Sequence, residues 1–493
     1  MTAEAGDWTC EVLVVGGGPA GAAAATLLSR WGHQVVVLDR PAVRPALAES
    51  LPPSCRRLLE VIGVLPAVSS AGFLEATGNT VWWGGSERRV ELFPGGATGW
   101  QVDRARFDAV LRAHAISCGV RWHRPATART LGTVEDAVVC VADVAGEERM
   151  LRARWAIDAS GRTGLVARHH RVGAGVAWRT MALAAEWRRP GGWGLPDESH
   201  TLVESAETGW GWSVPVDRER RHFTVMFNPA AEPPSGGALA ADYHRRLDLL
   251  PALAAIARSG ACVGDPFACD ASTYDTEGAV NGHVLAVGDA ASFLDPLSSF
   301  GVKKALASAW MAAVAIHTAL VTPEAQSAAL DLFLRREAEY VRAARGPLGA
   351  LSRDAVSGAS GGFWTARAAL ELDEAQADLV GAIRERPAVH RAFEALRLRD
   401  PAVLRRGTPV SVSAPLVRDN CVVVEPHFEL EGIGTPVRFV RNVDLVALAD
   451  LAGGGTEMGA LCAAYERRHG AIPLPDLIGA ISTLVAYEVL ELA

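Results

Sequence analysis

The opening strand–glycine–helix run constrains this chain's fold more than any other stretch. "EVLVVGGGPAGAAAATLLSRWGHQVVVLDR" (11–40) starts with an apolar, β-branched run over 11–15, the mark of a strand buried on both faces of a parallel sheet. Gly16, Gly18 and Gly21 then fill a G-x-G-x-x-G spacing, with Pro19 and Ala20 inside it, and an Ala-rich helical pattern follows to about Trp31. Gly16 allows the tight turn, Gly18 lets a pyrophosphate approach the backbone, and Gly21 lets helix and strand pack closely. The helix N-terminus offers unpaired amides and a positive dipole end to phosphates. A second apolar run (35–38) ends at Asp39 and Arg40, and a carboxylate at that place accepts hydrogen bonds from a ribose. Strand, loop, helix, second strand and terminal acid together predict an α/β chain with a dinucleotide site.

Three later segments sharpen this. "RWAIDASGRTGLVAR" (154–168) reads as a strand ending at Asp158 and Gly161. "GHVLAVGDAASFLDPLSSFGVKKALASAW" (282–310) runs from a strand into Gly288 and Asp289, through a loop with Pro296, and into a long helix from about Gly301 and Val302. "QVDRARFDAVL" (101–111) sets Arg104 at a helix start. These segments resemble the FAD-contacting motifs of glutathione-reductase-type flavoproteins. The resemblance implies that Asp289 bonds the ribityl chain, that the helix start at Gly301 faces the flavin pyrimidine, and that Arg104 reaches the cofactor. A helix N-terminus suits negative charge developing on reduced flavin. "VGAGVAW" (172–178) has glycines but neither a strand before nor a helix after, so no dedicated NAD(P)H domain is expected. FAD and O2 are the expected cofactors. NAD(P)H supplies electrons directly or through a separate flavin reductase, and the separated Asp and Gly of "DASG" resemble the halogenase branch, which uses the latter route.

"AESLPPS" (48–54), "AGFLEATGNTVWWGG" (71–85), "GWGWSVPV" (209–216) and the 288–309 segment resemble the flavin-dependent halogenases in order and spacing, over about 10–345. Ser50 is implied as a cofactor contact, and Trp82, Trp83, Trp210, Trp212 and Phe300 as substrate contacts. The Trp-x-Trp-x-Ile-Pro string of that family stands here as Trp210, Trp212, Val214 and Pro215, where it implies a wall between flavin and substrate. The family's relay lysine sits in Gly-Phe-x-x-Lys-x-Gly; this chain has Ala76 in that position, and its first lysine is Lys303. Phe300 precedes Gly301 where halogenases commonly carry a small hydroxyl residue, and Ser298 stands where tryptophan halogenases have a glutamate. The resemblance thus implies an FAD-dependent monooxygenase that hydroxylates an indole, tryptophan or phenol. Lysine-less flavoproteins that hydroxylate a protein-borne tryptophan during quinone-cofactor maturation are similar. A halogenase using another route and a flavoprotein reductase are the alternatives. Glu49, His222 and Asp295 are the titratable candidates for proton handling, with Glu49 the first choice. The plain readings are a strand-edge histidine for His222 and a turn cap for Asp295.

The expected architecture is a glutathione-reductase-type Rossmann FAD core over 1–345 with an inserted antiparallel substrate sheet (about 72–100 and 175–280). A helical extension (346–407) and a winged-helix-like module (408–493) follow. Asn442 or Asp444 can start a helix in that module, and its strands offer peptide binding by strand addition, with a packing or dimerisation role as the alternative. Apolar residues at 49% and charged residues at 21% suit a large buried core, and a net charge of −8 gives nucleic acid no electrostatic footing. The eight cysteines contain no C-x-x-C pair and no metal-ligand spacing, so free thiols and a cytoplasmic location are expected. The apolar run at 305–321 is short for a bilayer span, so a buried helix is expected and a membrane is not.

Overall fold

The computed structural model describes residues 8–41, 47–85, 87–173, 178–233, 238–356, 362–368 and 383–493. The glycine string at 172–178 lies partly outside them. The chain forms two compact units, Met1–Glu371 and Leu372–Ala493. The boundaries expected at 345 and 407 differ from this division: a helix over Gln326–Val356 crosses the first, and a strand over Val403–Arg406, just before the second, joins the second unit's sheet.

In the first unit β1 (Trp8–Val15) lies parallel between β2 (Val35–Leu38) and β7 (Glu147–Asp158), and β7 is parallel to β13 (Val284–Ala286). The apolar ends of these strands are buried on both faces, which is why they read as continuous β-branched runs. Helix α1 (Pro19–Arg30) starts with Pro at its first position and is buried from Pro19 to Leu28. It packs against α4 (Gly301–Val321). α4 is long and apolar enough to cross a bilayer, and 78% of its apolar window is buried in the core. An all-round apolar helix inside a large domain needs no membrane to explain it.

A second sheet has seven strands in the order β12 (Ala261–Asp270), β8 (Met181–Arg188), β11 (Arg220–Phe227), β10 (Gly209–Pro215), β9 (Thr201–Ala206), β5 (Gly78–Trp82) and Arg89–Leu92. It is antiparallel except where β9 runs parallel to β5. One face carries Trp187 and Phe223, packed against Tyr243 and Leu253 of helices Leu239–Leu247 and Pro251–Ala257. The other face carries Trp83, Trp210 and Met226, covered by α5 (Gln326–Val356) and α6 (Gly362–Ala368) through Ala355, Phe363 and Trp364. A small third sheet, β3 (Ala48–Leu51), β6 (Gly99–Asp103) and β4 (Leu74–Ala76), ends where α3 (Arg104–Ser117) begins.

The second unit has its own core of Leu404, Phe428, Leu445, Leu461, Leu477 and Leu484. Val403–Arg406 is the centre of a three-stranded sheet, flanked by Thr456–Glu457 and Leu490–Leu492. Helices Leu445–Leu451, Met458–His469 and Leu474–Ala486 accompany it, with a hairpin of Ser411–Arg418 and Cys421–Phe428. Asp444, not Asn442, caps the first of these helices: its Oδ1 accepts from the Val446 and Ala447 amides at 3.0 and 3.1 Å.

Candidate active site

The glycine loop is tight on one side and open on the other. A Cβ at Gly21 would lie 1.9 Å from the Gly16 carbonyl oxygen, and one at Gly16, whose φ is +108°, would lie 2.2 Å from that of Ala159. A Cβ at Gly18 would meet nothing within 4 Å. The loop is therefore welded to α1 and the end of β7, while Gly18 faces vacant space at the helix N-terminus. Asp39 sits beside Gly17, where a Cβ would come within 2.4 Å of its Cγ. Trp122 Nε1 donates to Asp39 Oδ2 at 3.2 Å, with Arg124 at 3.3 Å and Arg112 at 3.9 Å. Burial raises the Asp39 carboxyl above its usual range, and Trp122 and the two arginines work against that shift. Arg40 is exposed and makes no ion pair among the described residues; Arg112 and Arg124, which the sequence reading missed, hold Asp39 instead.

Asp158 is fully committed locally. Its Oδ1 accepts from the Ser160 amide and hydroxyl at 3.1 and 2.6 Å, and its Oδ2 from the Val166 amide at 2.8 Å. It shapes the turn that holds Gly161 at φ +64°. Asp289 differs: its carboxylate has no hydrogen-bond partner among the described residues, and burial raises its pKa against the pull of Lys304, Arg104, Arg162 and Arg171. The turn bearing it packs on α1, since a Cβ at Gly288 would lie 3.2 Å from that of Ala20. Lys304 fixes this turn. From the first turn of α4, its buried Nζ donates to the carbonyls of Gly288 (2.7 Å) and Ser292 (2.5 Å), with Glu337 of α5 as a buried counter-charge. Burial lowers the Lys304 pKa.

Arg104 lies between two carboxylates: Nη1 donates to Glu49 Oε1 at 2.7 Å, and Nε to Asp108 Oδ1 at 3.0 Å. Burial opposes its charge, and Glu49 and Asp108 more than offset that, so its pKa is raised. Glu49 thereby becomes the partner of Arg104, with Oε2 outside the pair. Ser50 follows it on β3, facing Gln101 across the ladder. His222 and Asp295 are not free. The Ala48 amide donates to His222 Nδ1 at 3.0 Å, so Nε2 carries the hydrogen and donates to Glu186 Oε2 at 3.3 Å. The ring links β11 to β3. Asp295 Oδ1 caps the turn Pro296–Ser298 by accepting from the Leu297 amide at 3.0 Å, and its Oδ2 pairs with the buried Arg367 of α6 at 3.4 Å.

Trp210 and Trp212 stack with ring centroids 4.7 Å apart, on one face of β10. Gly211 between them leaves room on the opposite face, where a Cβ would come within 2.5 Å of a Leu250 methyl. Trp83 joins the same cluster and donates from Nε1 to the Leu351 carbonyl at 2.8 Å; Phe293 and Leu297, on either side of Pro296, pack there too. Trp82 packs on the opposite face, against the Phe223–Leu253 core, because consecutive side chains alternate across a strand. The structure therefore places it apart from Trp83, Trp210 and Trp212. Phe300 precedes α4 as its N-cap residue, with Val302 buried behind it. Phe293 also borders a cavity of about 440 Å³ lined by Trp178, Tyr274, Asp295, Val341 and Leu348. Trp364 and Arg367, which tie α6 to this wall, carried no sequence signal.

These features fit FAD: a glycine cradle open at Gly18, an acid beside it, an unpartnered carboxylate at Asp289 and a helix N-terminus at Gly301. No group of three metal-ligating side chains occurs among the described residues. The FAD binding domain family matches residues 9–344. A tryptophan 2-halogenase of Chondromyces crocatus is 27% identical over 346 residues, 66% of this chain and 64% of that protein, so this chain matches a little under two thirds of that relative's length. In fold it is similar to the flavin-dependent halogenase CmlS (TM-score 0.76, 21% identity, 98% of this chain and 96% of that one). It is similar also to the peptidyl tryptophan dihydroxylase QhpG, essential for tryptophylquinone cofactor biogenesis (TM-score 0.70, 22% identity, 97% and 99%). With motif, cradle and family match in agreement over the same residues, the chain belongs to the FAD binding domain family.

Proposed function

We propose that this enzyme hydroxylates an electron-rich aromatic ring, first of all the indole of a tryptophan carried on a peptide or protein. The observation that carries this reading is Ala76. It is fully buried on β4, paired with Gly99, where the halogenase resemblance calls for a relay lysine. A methyl group can neither carry a halogen nor move a proton. Reduced FAD with O2 supplies an oxygen electrophilic enough for such a ring. The chain's own residues do the rest: Asp289 and the α4 N-terminus orient the cofactor, the Trp210–Trp212 stack and Phe293 exclude water, and Glu49 is the residue assigned to proton handling. The cavity beside Phe293 has the size of a site for one aromatic side chain.

The peptide-borne substrate is supported by the QhpG likeness, which spans both compact units. The second unit is then assigned to peptide binding. A flavin reductase using NAD(P)H as electron source and a cytoplasmic location complete the proposal; all eight cysteines are free thiols. Halogen transfer is the second reading, favoured by the halogenases among the relatives. The test supplies the holoenzyme with a flavin reductase, NADH, ¹⁸O₂ and bromide, and offers a tryptophan-containing peptide or free tryptophan. One or two ¹⁸O atoms on the peptide indole are expected, with no bromine. Bromination of either substrate would replace the reading with the halogenase one, and oxidation of NADH with both substrates unchanged would refute it.

A further inference from the structure

The turn that carries Asp289 has its carbonyls taken by two side chains. Lys304 takes those of Gly288 and Ser292, and Tyr274 takes the one between, its hydroxyl donating to the Asp289 carbonyl at 2.6 Å. The main chain of Tyr274 also pairs with that of Phe293 in an antiparallel bridge. The Phe293 amide donates to the Tyr274 carbonyl at 2.9 Å, and the Tyr274 amide to the Phe293 carbonyl at 3.3 Å. The segment from Asp289 to Phe293 is therefore tied at both ends to one tyrosine. The half-buried ring of that tyrosine borders the cavity of about 440 Å³ beside Phe293. The two rings stack with centroids 6.1 Å apart and planes 27° apart, and the Arg171 guanidinium lies 4.0 Å from the Tyr274 centroid. These contacts leave the ring little freedom. Burial pushes the hydroxyl pKa up to about 12, with Arg171 and Arg162 opposing, so the group stays a neutral donor. Tyr274 thus belongs to the cavity by its ring and to the cofactor turn by its oxygen.

We propose that Tyr274 is the positioning residue that couples the aromatic cavity to the cofactor turn. An aromatic ring seated against Tyr274 and Phe293 fixes the tyrosine hydroxyl on the Asp289 carbonyl, and so fixes the Asp289 carboxylate for FAD. The inference rests on the reading of this cavity as the aromatic site and is independent of the reaction that follows there. Coupling of this kind is reciprocal: each ligand tightens the other by the same factor. The test uses the full chain, oxidised FAD and N-acetyl-L-tryptophanamide as probe, with no turnover. In the parent, saturating probe is expected to lower the FAD dissociation constant about fivefold. Tyr274→Phe keeps the ring and the cavity wall and removes the hydroxyl alone. Its FAD affinity should fall about fivefold for the lost hydrogen bond. A purely structural role predicts that fall too, but only the coupling role predicts that the probe no longer changes FAD affinity. An undiminished probe effect in Tyr274→Phe overturns the proposal, as does a parent in which probe and FAD bind independently; the aromatic reading of the cavity survives both. A parent that does not bind the probe, or probe binding unchanged in Leu348→Trp, which fills the cavity, refutes that reading and the proposal with it. Should Tyr274→Phe lose FAD altogether, hydrogen exchange in the parent holoenzyme decides. The probe should slow exchange of the 289–293 amides about threefold or more, and unchanged exchange overturns the proposal.

Discussion

The nucleotide end of the FAD cleft and the aromatic wall of the second sheet are built by opposite means. At the nucleotide end, backbone does the work. Gly16 and Gly21 bring main chains so close that no side chain fits between them, and Gly18 leaves the opening. At the aromatic wall, side chains from distant parts of the chain do it: Trp210 and Trp212 from one strand, Trp83 from just past the end of another, Phe293 from the loop after Asp289, Phe363 and Trp364 from α6. A backbone site tolerates no added atom, whereas a side-chain site depends on buried polar links that keep its parts in register.

The largest effect is expected at the strongest of those links. Arg367 and Asp295 are 1% and 2% exposed, and Arg367 also donates to the Thr180 hydroxyl at 2.6 Å and the Phe363 carbonyl at 3.0 Å. Arg367→Met leaves a buried carboxylate without its partner and should cost about 3–5 kcal/mol in urea unfolding. Adding Asp295→Asn should return at least half of it, because the uncompensated charge goes. A loss under about 1 kcal/mol in the single variant would mean that the wall does not depend on this link.

The next effect separates the two uses of glycine. Gly21→Ala places a methyl against the Gly16 carbonyl, and Gly18→Ala places one in empty space. Both should weaken FAD by about 100-fold, roughly 2.7 kcal/mol. Only Gly21→Ala should lower the melting temperature of the FAD-free protein. Equal melting temperatures for the two variants would remove the distinction between packing glycine and cofactor glycine.

The same contrast explains what the sequence made legible. The glycine spacing, the strand runs and the Asp-Gly motifs are local, and each backbone constraint is written within some twenty residues, so the FAD core could be read. The turn at Asp289 and the helix from Gly301 form where the sequence pattern sets them. The side-chain links were not readable because their partners lie far apart: Arg367 meets Asp295 across 72 positions, and His222 meets Ala48 across 174. Asp158 matched its motif, yet its oxygens go to Ser160 and Val166. Trp82 shared a dipeptide with Trp83, and strand alternation sent it to the other face. Lys304 did carry a signal, the scarcity of lysine in the chain.

The smallest effect lies where the two regions join, at His222. Burial lowers its pKa from 6.5, with Glu186 opposing, and its Nδ1 must stay unprotonated to accept the Ala48 amide. The folded state therefore takes up its proton at lower pH than the unfolded chain does. Between those two pKa values the unfolded chain binds more protons, so stability rises with pH; read downwards, it is lost as pH falls below about 6.5 and levels off once the folded ring also protonates. One such group gives a slope of at most about 1.4 kcal/mol per pH unit. His222→Asn keeps an acceptor towards Ala48 and does not titrate. Urea midpoints at pH 7.5 and pH 5.5 should therefore differ less in this variant than in the parent, with other buried histidines such as His200 common to both. An identical acid slope would show that the strap between substrate sheet and β3 is insensitive to protonation. The aromatic wall would then be anchored to the nucleotide end by backbone alone.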